Sequence, residues 1–225
     1  MRLYNIIYQL ILYPLMVIVR HYYGLFLHVK ERMLEQRQEK LLGIKTRGLY
    51  RQKEDVSLFG DETIYAPLKY SELFKMIEYL KVKESDIFFD LGCGSGRVIF
   101  ALACHKIKKA IGVELRKTLV DRALTNQQAF SGDSSKVSII HQDVATLELS
   151  DGTIIYTMGS LGWKTTEKML ESLKDDLQKN PRRIRVIVYE LDRAHVIYER
   201  CDWLNHNDSI NDTVLEVWEN SQYRN

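Results

Sequence analysis

Residues 87–96 constrain the fold of this chain more than any other stretch. They read Ile-Phe-Phe-Asp-Leu-Gly-Cys-Gly-Ser-Gly, and an apolar helical pattern follows them. A buried strand that runs into a glycine turn at a helix N-terminus is typical of a nucleotide-cofactor site in an open parallel sheet. Glycine allows positive φ angles and a close approach of the backbone to a ligand, because it has no Cβ.

The glycine spacing differs from the dinucleotide-binding fingerprint. That fingerprint reads G-x-G-x-x-G, whereas this chain has Gly92, Gly94 and Gly96, with Arg97 where the third glycine would fall. The loop resembles motif I of the class I S-adenosylmethionine (SAM) methyltransferases, on the residues Asp90-Leu91-Gly92-Cys93-Gly94-Ser95-Gly96. The resemblance implies SAM as the cofactor, with Asp90 and the three glycines at its site. The alternative interpretation is a glycine-rich turn without a ligand.

Two acidic residues further along the chain support a nucleoside site. Glu114 ends a predicted second strand over residues 109–115, where a carboxylate can accept hydrogen bonds from both ribose hydroxyls. Asp143 follows a predicted third strand over residues 137–141, and the resemblance makes it the acceptor for the adenine amino group. Val144 would then pack on the base. Alternatively, Glu114 is an ordinary strand-end charge and Asp143 a turn residue.

The end of the predicted fourth strand, residues 153–158, is where a methyl acceptor would meet the cofactor. Methyltransferases that act on adenine amines or glutamine amides carry Asn/Asp-Pro-Pro-Tyr/Phe here, and this chain departs from that pattern with Tyr156-Thr157-Met158-Gly159. The departure argues against those acceptors. No Cys, His or carboxylate pair stands here as a base, but methyl transfer can proceed by alignment and desolvation. The candidate acceptor-side residues are Tyr156, Thr157, Ser160 and Trp163.

A Tyr-x-Pro segment, Tyr65-Ala66-Pro67, precedes an amphipathic helix predicted at residues 69–80. In several methyltransferase subfamilies, including the non-SET protein-lysine type, such a segment closes over the methionine end of the cofactor. The resemblance makes Thr63 a cofactor-binding candidate and Tyr65 a catalytic one. It also implies a lysine amine as the acceptor, while a small molecule or RNA stays open. The alternative is a turn with a packed tyrosine.

The C-terminal part completes the predicted fold class. A helix is expected at residues 164–179, a fifth strand at 184–191, and two further strands at 196–203 and 213–219. Consecutive strands without a helix between them form an antiparallel hairpin. The prediction is therefore an α/β fold: a doubly wound, mostly parallel seven-stranded sheet with a terminal antiparallel β-hairpin, preceded by an N-terminal helical segment.

The N-terminal 58 residues lie outside the resemblance. We expect a hydrophobic and charged helical segment over residues 1–43, a linker over 44–58 and the methyltransferase domain over 59–225. Residues 4–27 could span a bilayer with two polar interruptions, and their tyrosines suit a membrane–water boundary. An anchor, an interfacial helix and a helix packed on its own domain all remain open.

We expect membrane contact through residues 4–27. The basic residues that follow this stretch outnumber Arg2, which predicts that the catalytic part lies on the cytoplasmic side of a membrane; without membrane contact, the expectation is a cytoplasmic protein. Residues 30–42 predict a solvated connector helix that ends at Gly43.

Composition limits the remaining functions. The net charge is +2, with 32 basic and 30 acidic residues, which disfavours a large nucleic acid as partner. Three cysteines and six histidines show no metal-ligand spacing, so we predict no metal. A nicotinamide-dependent oxidoreductase and a non-catalytic interaction module are the alternatives from other classes. Oligomeric state is left open by the sequence.

Overall fold

The computed structural model describes residues 13–48, 66–158, 161–189 and 195–220. Within these ranges, seven strands form one sheet in the order β3-β2-β1-β4-β5-β7-β6. The strands are β1 (Ile87–Leu91), β2 (Lys109–Glu114), β3 (Val137–His141), β4 (Ile154–Thr157), β5 (Arg185–Tyr189), β6 (Leu204–Ser209) and β7 (Leu215–Asn220). Strands β1–β5 are parallel, and β7 is antiparallel to both β5 and β6. The predicted fold class is confirmed.

Helices cover both faces of the sheet. They are α1 (Tyr13–Leu42), α2 (Tyr70–Leu80), α3 (Arg97–Ala103), α4 (Lys117–Ala129), α5 (Trp163–Lys179) and α6 (His195–Glu199). On one face, Leu73 of α2 and Phe100 of α3 share a buried cluster with Tyr156 of β4. On the other face, Leu170 of α5 packs with Val186 of β5. The strand order reverses between β1 and β4, and ligands bind at the carboxyl ends of the strands at such a point.

The predicted strand over residues 196–203 is wrong. Helix α6 occupies its first part, and β6 begins at Leu204, between the two predicted strands. Ile197 and Tyr198 are adjacent in sequence and both buried, and the partly buried Cys201 lies one turn further on. This spacing is a helical face, not the alternation of a strand. Strand β6 is a polar edge strand, and its composition therefore resembles that of a turn.

Helix α1 has two dissimilar halves. Its N-terminal half exposes large apolar side chains, namely Met16, Val17, Ile18, Val19, Tyr22, Tyr23, Leu25, Phe26, Leu27 and Val29. Its C-terminal half packs on the domain, where Glu39 is buried and Leu34 and Leu42 contact the core. This packing corrects the prediction of a solvated connector. Among the described helices, none combines the length and apolarity that a bilayer-spanning helix requires.

The end of α1 lies against α4. Gly43 has a φ of 73° and follows the last helical residue, as predicted. A Cβ at this position would collide with the carbonyl oxygen of Ala129, so the close approach requires glycine. The backbone N–H of Ser131 donates to the carbonyl of Leu42 at 2.9 Å. The start of the predicted linker therefore lies on the sheet domain.

Candidate cofactor site

A cavity of about 230 Å³ opens at the carboxyl ends of β1, β2 and β4. It brings together several of the residues that the sequence predicts, namely Asp90, Gly92, Glu114, Asp143, Val144 and Tyr156. Met158 and Leu161 add apolar surface on the side of β4. The cavity thus lies at the place where the fold positions a ligand.

The glycine loop after β1 adopts the backbone geometry that its sequence predicts. Gly92, Gly94 and Gly96 have φ angles of 86°, 56° and 90°, values that residues with a Cβ rarely adopt. A Cβ at Gly96 would lie 2.6 Å from the ring of Phe100. The N–H of Gly92 donates to Val113 of β2 at 2.8 Å, which fixes the start of the loop beside the cavity.

Glu114 is held rigidly at the end of β2. Its carboxylate accepts hydrogen bonds from the N–H of Gly94 and the N–H of Arg116, both at 2.9 Å. Oε1 also accepts from Arg116 Nε at 3.4 Å, while Oε2 takes the bond from Gly94, and a carboxylate has about four acceptor sites. Glu114 therefore supports the glycine loop and retains acceptor capacity for a ligand hydroxyl on Oε2.

Asp90 is a cavity acid whose pKa is strongly raised by its surroundings. It is 3% exposed, and none of the described residues donates a hydrogen bond to its carboxyl group. Burial, and then the nearby charge of Glu114, raises the pKa of Asp90 to about 8. A buried acid without a partner at a cavity wall suits a cationic ligand group, which would stabilise its ionised form.

Asp143 and Val144 form the edge of the cavity beyond β3. One oxygen of the exposed Asp143 carboxylate accepts from the N–H of Ala145 at 2.9 Å and caps a short 3₁₀ turn over residues 144–146. The second oxygen is left for a ligand donor. Val144 is buried and lines the cavity beside it, so an acid and an apolar side chain lie together at this edge.

Tyr156 contributes a buried phenol to the wall. The side chain is 1% exposed and stacks on Phe88 with ring centroids 6.2 Å apart. Its hydroxyl has no hydrogen-bond partner among the described residues. Burial raises the pKa of Tyr156 well above its ordinary value, so the phenol is neutral.

Of the other predicted residues beyond the glycine loop, two do not line the cavity and three lie outside the described residues. Thr157 is buried beside Leu91 and Val188 in the register of the sheet, and the cavity wall does not include it. Ser160, Thr63 and Tyr65 lie outside the described residues. Trp163 begins α5 and donates its ring N–H to Glu167 at 2.8 Å.

Sequence reasoning missed Arg97 as a site residue. It lines the cavity directly after the glycine loop and is 2% exposed. All seven residues of α3 are buried, and a charged side chain in such a helix has to be paired. The presence of a charged residue in an otherwise apolar helix was the signal that could have identified Arg97. The sequence does not show which residues pair with Arg97.

The residues that line the cavity match the chemical groups of SAM. A glycine loop without dinucleotide spacing, an acid at the end of β2 and an unpartnered buried acid match a nucleoside joined to a cationic amino acid. The fold and the site define a class I SAM-dependent methyltransferase.

In the solved structures, a precorrin 8w decarboxylase from Methanobacterium thermoautotrophicum shares the fold, with a TM-score of 0.51 and 18% identity over 70% of this chain and 92% of that one.

Sequence comparison identifies the family. The model of the histone methylation protein DOT1 matches residues 54–152. A protein-lysine N-methyltransferase from Saccharolobus islandicus is 32% identical over 130 residues, or 57% of this chain and 76% of that protein. A histone-lysine N-methyltransferase specific for H3 lysine-79 from Dictyostelium discoideum is 38% identical over 60 residues, which are 27% of this chain and 3% of that protein. The chain belongs to the same family of SAM-dependent methyltransferases as the Saccharolobus protein, which confirms the resemblance in motif I.

Proposed function

We propose that this methyltransferase transfers its methyl group to lysine side chains of proteins. The observation that carries the proposal is the relationship to the Saccharolobus protein-lysine N-methyltransferase, which extends over 76% of that protein. The cavity agrees with this acceptor, because the wall near β4 is formed by Tyr156, Met158 and Leu161. An apolar wall with one neutral phenol suits an alkyl amine.

We assign the cofactor contacts as follows. Glu114 accepts from the ribose hydroxyls, Asp143 accepts from the adenine amino group, and Val144 packs on the base. Asp90, beside the glycine loop, faces the cationic amino-acid end. These assignments rest on the acceptor atoms that each side chain retains in the structure. Roles for Thr63, Tyr65 and Ser160 stay predictions from the sequence, as does that of Thr157 on the acceptor side.

Bound SAM supplies a methyl group on a positively charged sulfur. An amine can attack this methyl group in line with the departing sulfur. The chain has to present the amine unprotonated, because a lysine ammonium has no lone pair. An apolar wall disfavours the charged form, so the proton leaves to solvent before the amine enters. The neutral Tyr156 ring adds no charge to this wall.

The test is product identification with the full-length chain. We would incubate it with methyl-labelled SAM and three acceptor pools: lysine-rich proteins, mixed-sequence RNA and small amines. Methylated lysine in digested protein, found by mass spectrometry, is the expected result. Label that appears only in RNA or small amines would overturn the acceptor assignment. The Glu114→Ala variant is the control, since it should lose both SAM binding and every product.

We also propose that the N-terminal half of α1 contacts a lipid bilayer, with the domain on the cytoplasmic side. The consecutive residues Met16 to Val19 are each about half exposed. Successive helical residues point about 100° apart, so these four side chains cover every side of the helix. A protein partner covers one stripe of a helix, whereas lipid surrounds it. The proposal is supported by this all-round apolar surface.

Sedimentation with lipid vesicles tests this contact. The full chain should pellet with vesicles, and Phe26→Glu should release it. Leu124→Glu on α4 is the matched control, because Leu124 is an exposed leucine on a different helix. Wild-type protein that stays in the supernatant, or a Phe26→Glu variant that pellets as well as the control, would overturn the proposal.

A further inference from the structure

The glycine loop is attached to the N-terminal part of the chain through two buried side chains. Arg97 follows Gly96 directly and is 2% exposed, and Asn126 of α4 is 5% exposed. Both reach segments that precede β1 in the chain. The connection is made mainly by hydrogen bonds, with the Arg97 guanidinium also 4.6 Å from the centroid of the Tyr70 ring.

Arg97 contacts three separate segments. Its Nε donates to Thr46 Oγ1 at 2.8 Å, and its Nη1 donates to Glu35 Oε1 and to the carbonyl of Leu68, each at 2.8 Å. Nη2 lies 3.5 Å from Glu39 Oε1. A planar guanidinium can serve this many acceptors at fixed angles, which an ammonium group cannot.

The charges around Arg97 are balanced. Glu35 and Glu39 are the acids, and Arg47 is the second cation, with its Nε 2.8 Å from Glu39 Oε2. Burial alone would raise the pKa of Glu39, but hydrogen bonds from Arg47 and Thr46 lower it below its usual value. Glu39 is therefore ionised, and α1 contributes two charged partners to the first residue of α3.

Asn126 makes the second connection. Its Nδ2 donates to the carbonyl of Ser95 in the glycine loop at 2.9 Å and to the carbonyl of Lys45 at 3.2 Å. Its Oδ1 accepts from the N–H of Lys45 at 2.9 Å. One amide thus joins the glycine loop to the backbone just after α1.

We propose that residues 35–46 hold the glycine loop of the cofactor site in place, and that Arg97 and Asn126 are the positioning residues through which they act. A glycine-rich loop loses much conformational entropy when it is fixed. Fixing it before the ligand arrives leaves less entropy to be lost on binding, which raises affinity. The N-terminal segment therefore sets the conformation of the loop that receives SAM. This inference depends on the SAM site and not on the nature of the methyl acceptor.

Calorimetric titration of the full-length chain with S-adenosylhomocysteine is the test, with thermal unfolding of each unliganded variant alongside. Arg97→Lys keeps the charge and loses the fork, and Asn126→Ala removes the second connection. We expect each to weaken binding about tenfold, a size usual for coupling between sites. Glu219→Gln is the control, because it removes the charge of a buried acid that pairs with the half-exposed Arg183 near the amino end of β5.

Three outcomes decide the matter. The inference stands if Arg97→Lys and Asn126→Ala lose more affinity than Glu219→Gln does for each degree of lost thermal stability. It is overturned if affinity follows thermal stability in all three variants. Should Arg97→Lys fail to fold, Asn126→Ala and Glu35→Gln provide the same comparison. Absence of binding by the wild-type chain would overturn the cofactor site itself.

A double variant sharpens the result. If Arg97 and Glu35 act as one unit, Glu35→Gln should add little to the affinity loss of Arg97→Lys. Fully additive losses would mean that Glu35 acts on the ligand site by another route, which contradicts the proposed connection.

Discussion

Two buried acids lie on either side of the glycine loop, and they have opposite environments. Asp90 faces the cavity without a hydrogen-bond donor among the described residues, and its pKa is raised to about 8. Glu39 faces Arg97, Arg47 and Thr46, and its pKa is lowered. Both are about equally hidden from solvent, at 3% and 5% exposure. Burial alone therefore does not decide the charge of either group.

The difference distinguishes a binding site from a scaffold. A buried acid whose partners come from the chain stabilises the fold, and removing one partner is costly. A buried acid without such partners destabilises the ligand-free protein and gains its partner from the ligand. The predictions below test this contrast between Asp90 and Glu39.

The largest expected effect is on the paired side. Arg97→Met leaves Glu35 and Glu39 without their guanidinium partner, and loss of one member of a buried ion pair costs about 3–5 kcal/mol. Urea unfolding of the ligand-free protein measures the free energy of unfolding. Arg183→Met is the comparison, since Arg183 is half exposed and its pairing with Glu219 is worth less. Equal losses in the two variants would contradict the contrast.

On the unpaired side, stability should depend on pH through Asp90. The folded pKa of about 8 lies above the ordinary value of 3.8, so the folded state keeps its proton as the pH rises. The contribution of Asp90 to the free energy of unfolding is fully present below about pH 4 and is lost as the pH approaches 8. The slope is at most about 1.4 kcal/mol per pH unit. Asp90→Asn should remove this slope, which unfolding between pH 5 and 8 measures. A slope that persists in the variant would show that other groups cause it.

Ligand binding should show the opposite pH trend. A cationic ligand group favours ionised Asp90, so the affinity for S-adenosylhomocysteine should rise with pH up to about 8 and binding should release a proton. Below that pH, the affinity should change by at most about tenfold per pH unit. Calorimetry in buffers of different ionisation enthalpy measures the proton release. Unchanged release in Asp90→Asn would sink this assignment.

The smallest effect is expected at the edge of the paired cluster. Arg47 bonds Glu39 but is 42% exposed, and exposed ion pairs contribute about 0.2–1 kcal/mol. Arg47→Met should therefore lower the free energy of unfolding by an amount within that range and leave ligand affinity unchanged. A loss as large as that of Arg97→Met would contradict the ranking of Arg47 below Arg97 in this cluster.

Most of the sheet could be predicted because its strands are buried on both faces. Apolar runs such as Ile87–Leu91 need no partner to be recognised, and the glycine loop requires positive φ angles that only its own residues supply. Strand β6 was not predicted, because an edge strand rich in polar residues has the composition of a turn. The helical pair Ile197 and Tyr198 was mistaken for a strand, since a five-residue helix is too short to display its period.

The cavity residues at strand ends were predictable for a related reason, because a parallel sheet gathers the ends of its strands at one edge. The Arg97 cluster was not. Its partners Thr46, Glu35 and Glu39 lie 51 to 62 residues away in sequence, and no local pattern connects them. A charged residue in an apolar helix shows that a partner must exist, whereas only the three-dimensional packing shows which one.

Helix α1 is continuous from Tyr13 to Leu42, and this continuity has a geometric consequence. At a rise of about 1.5 Å per residue, the exposed stretch ending at Val29 and the anchored Glu39 are about 15 Å apart along one stiff rod. Any surface that grips the apolar end thereby fixes the height at which the cavity stands. With the proposed bilayer contact and lysine acceptor, substrates would be selected by how far their lysines project from that surface, before any other side chain is recognised.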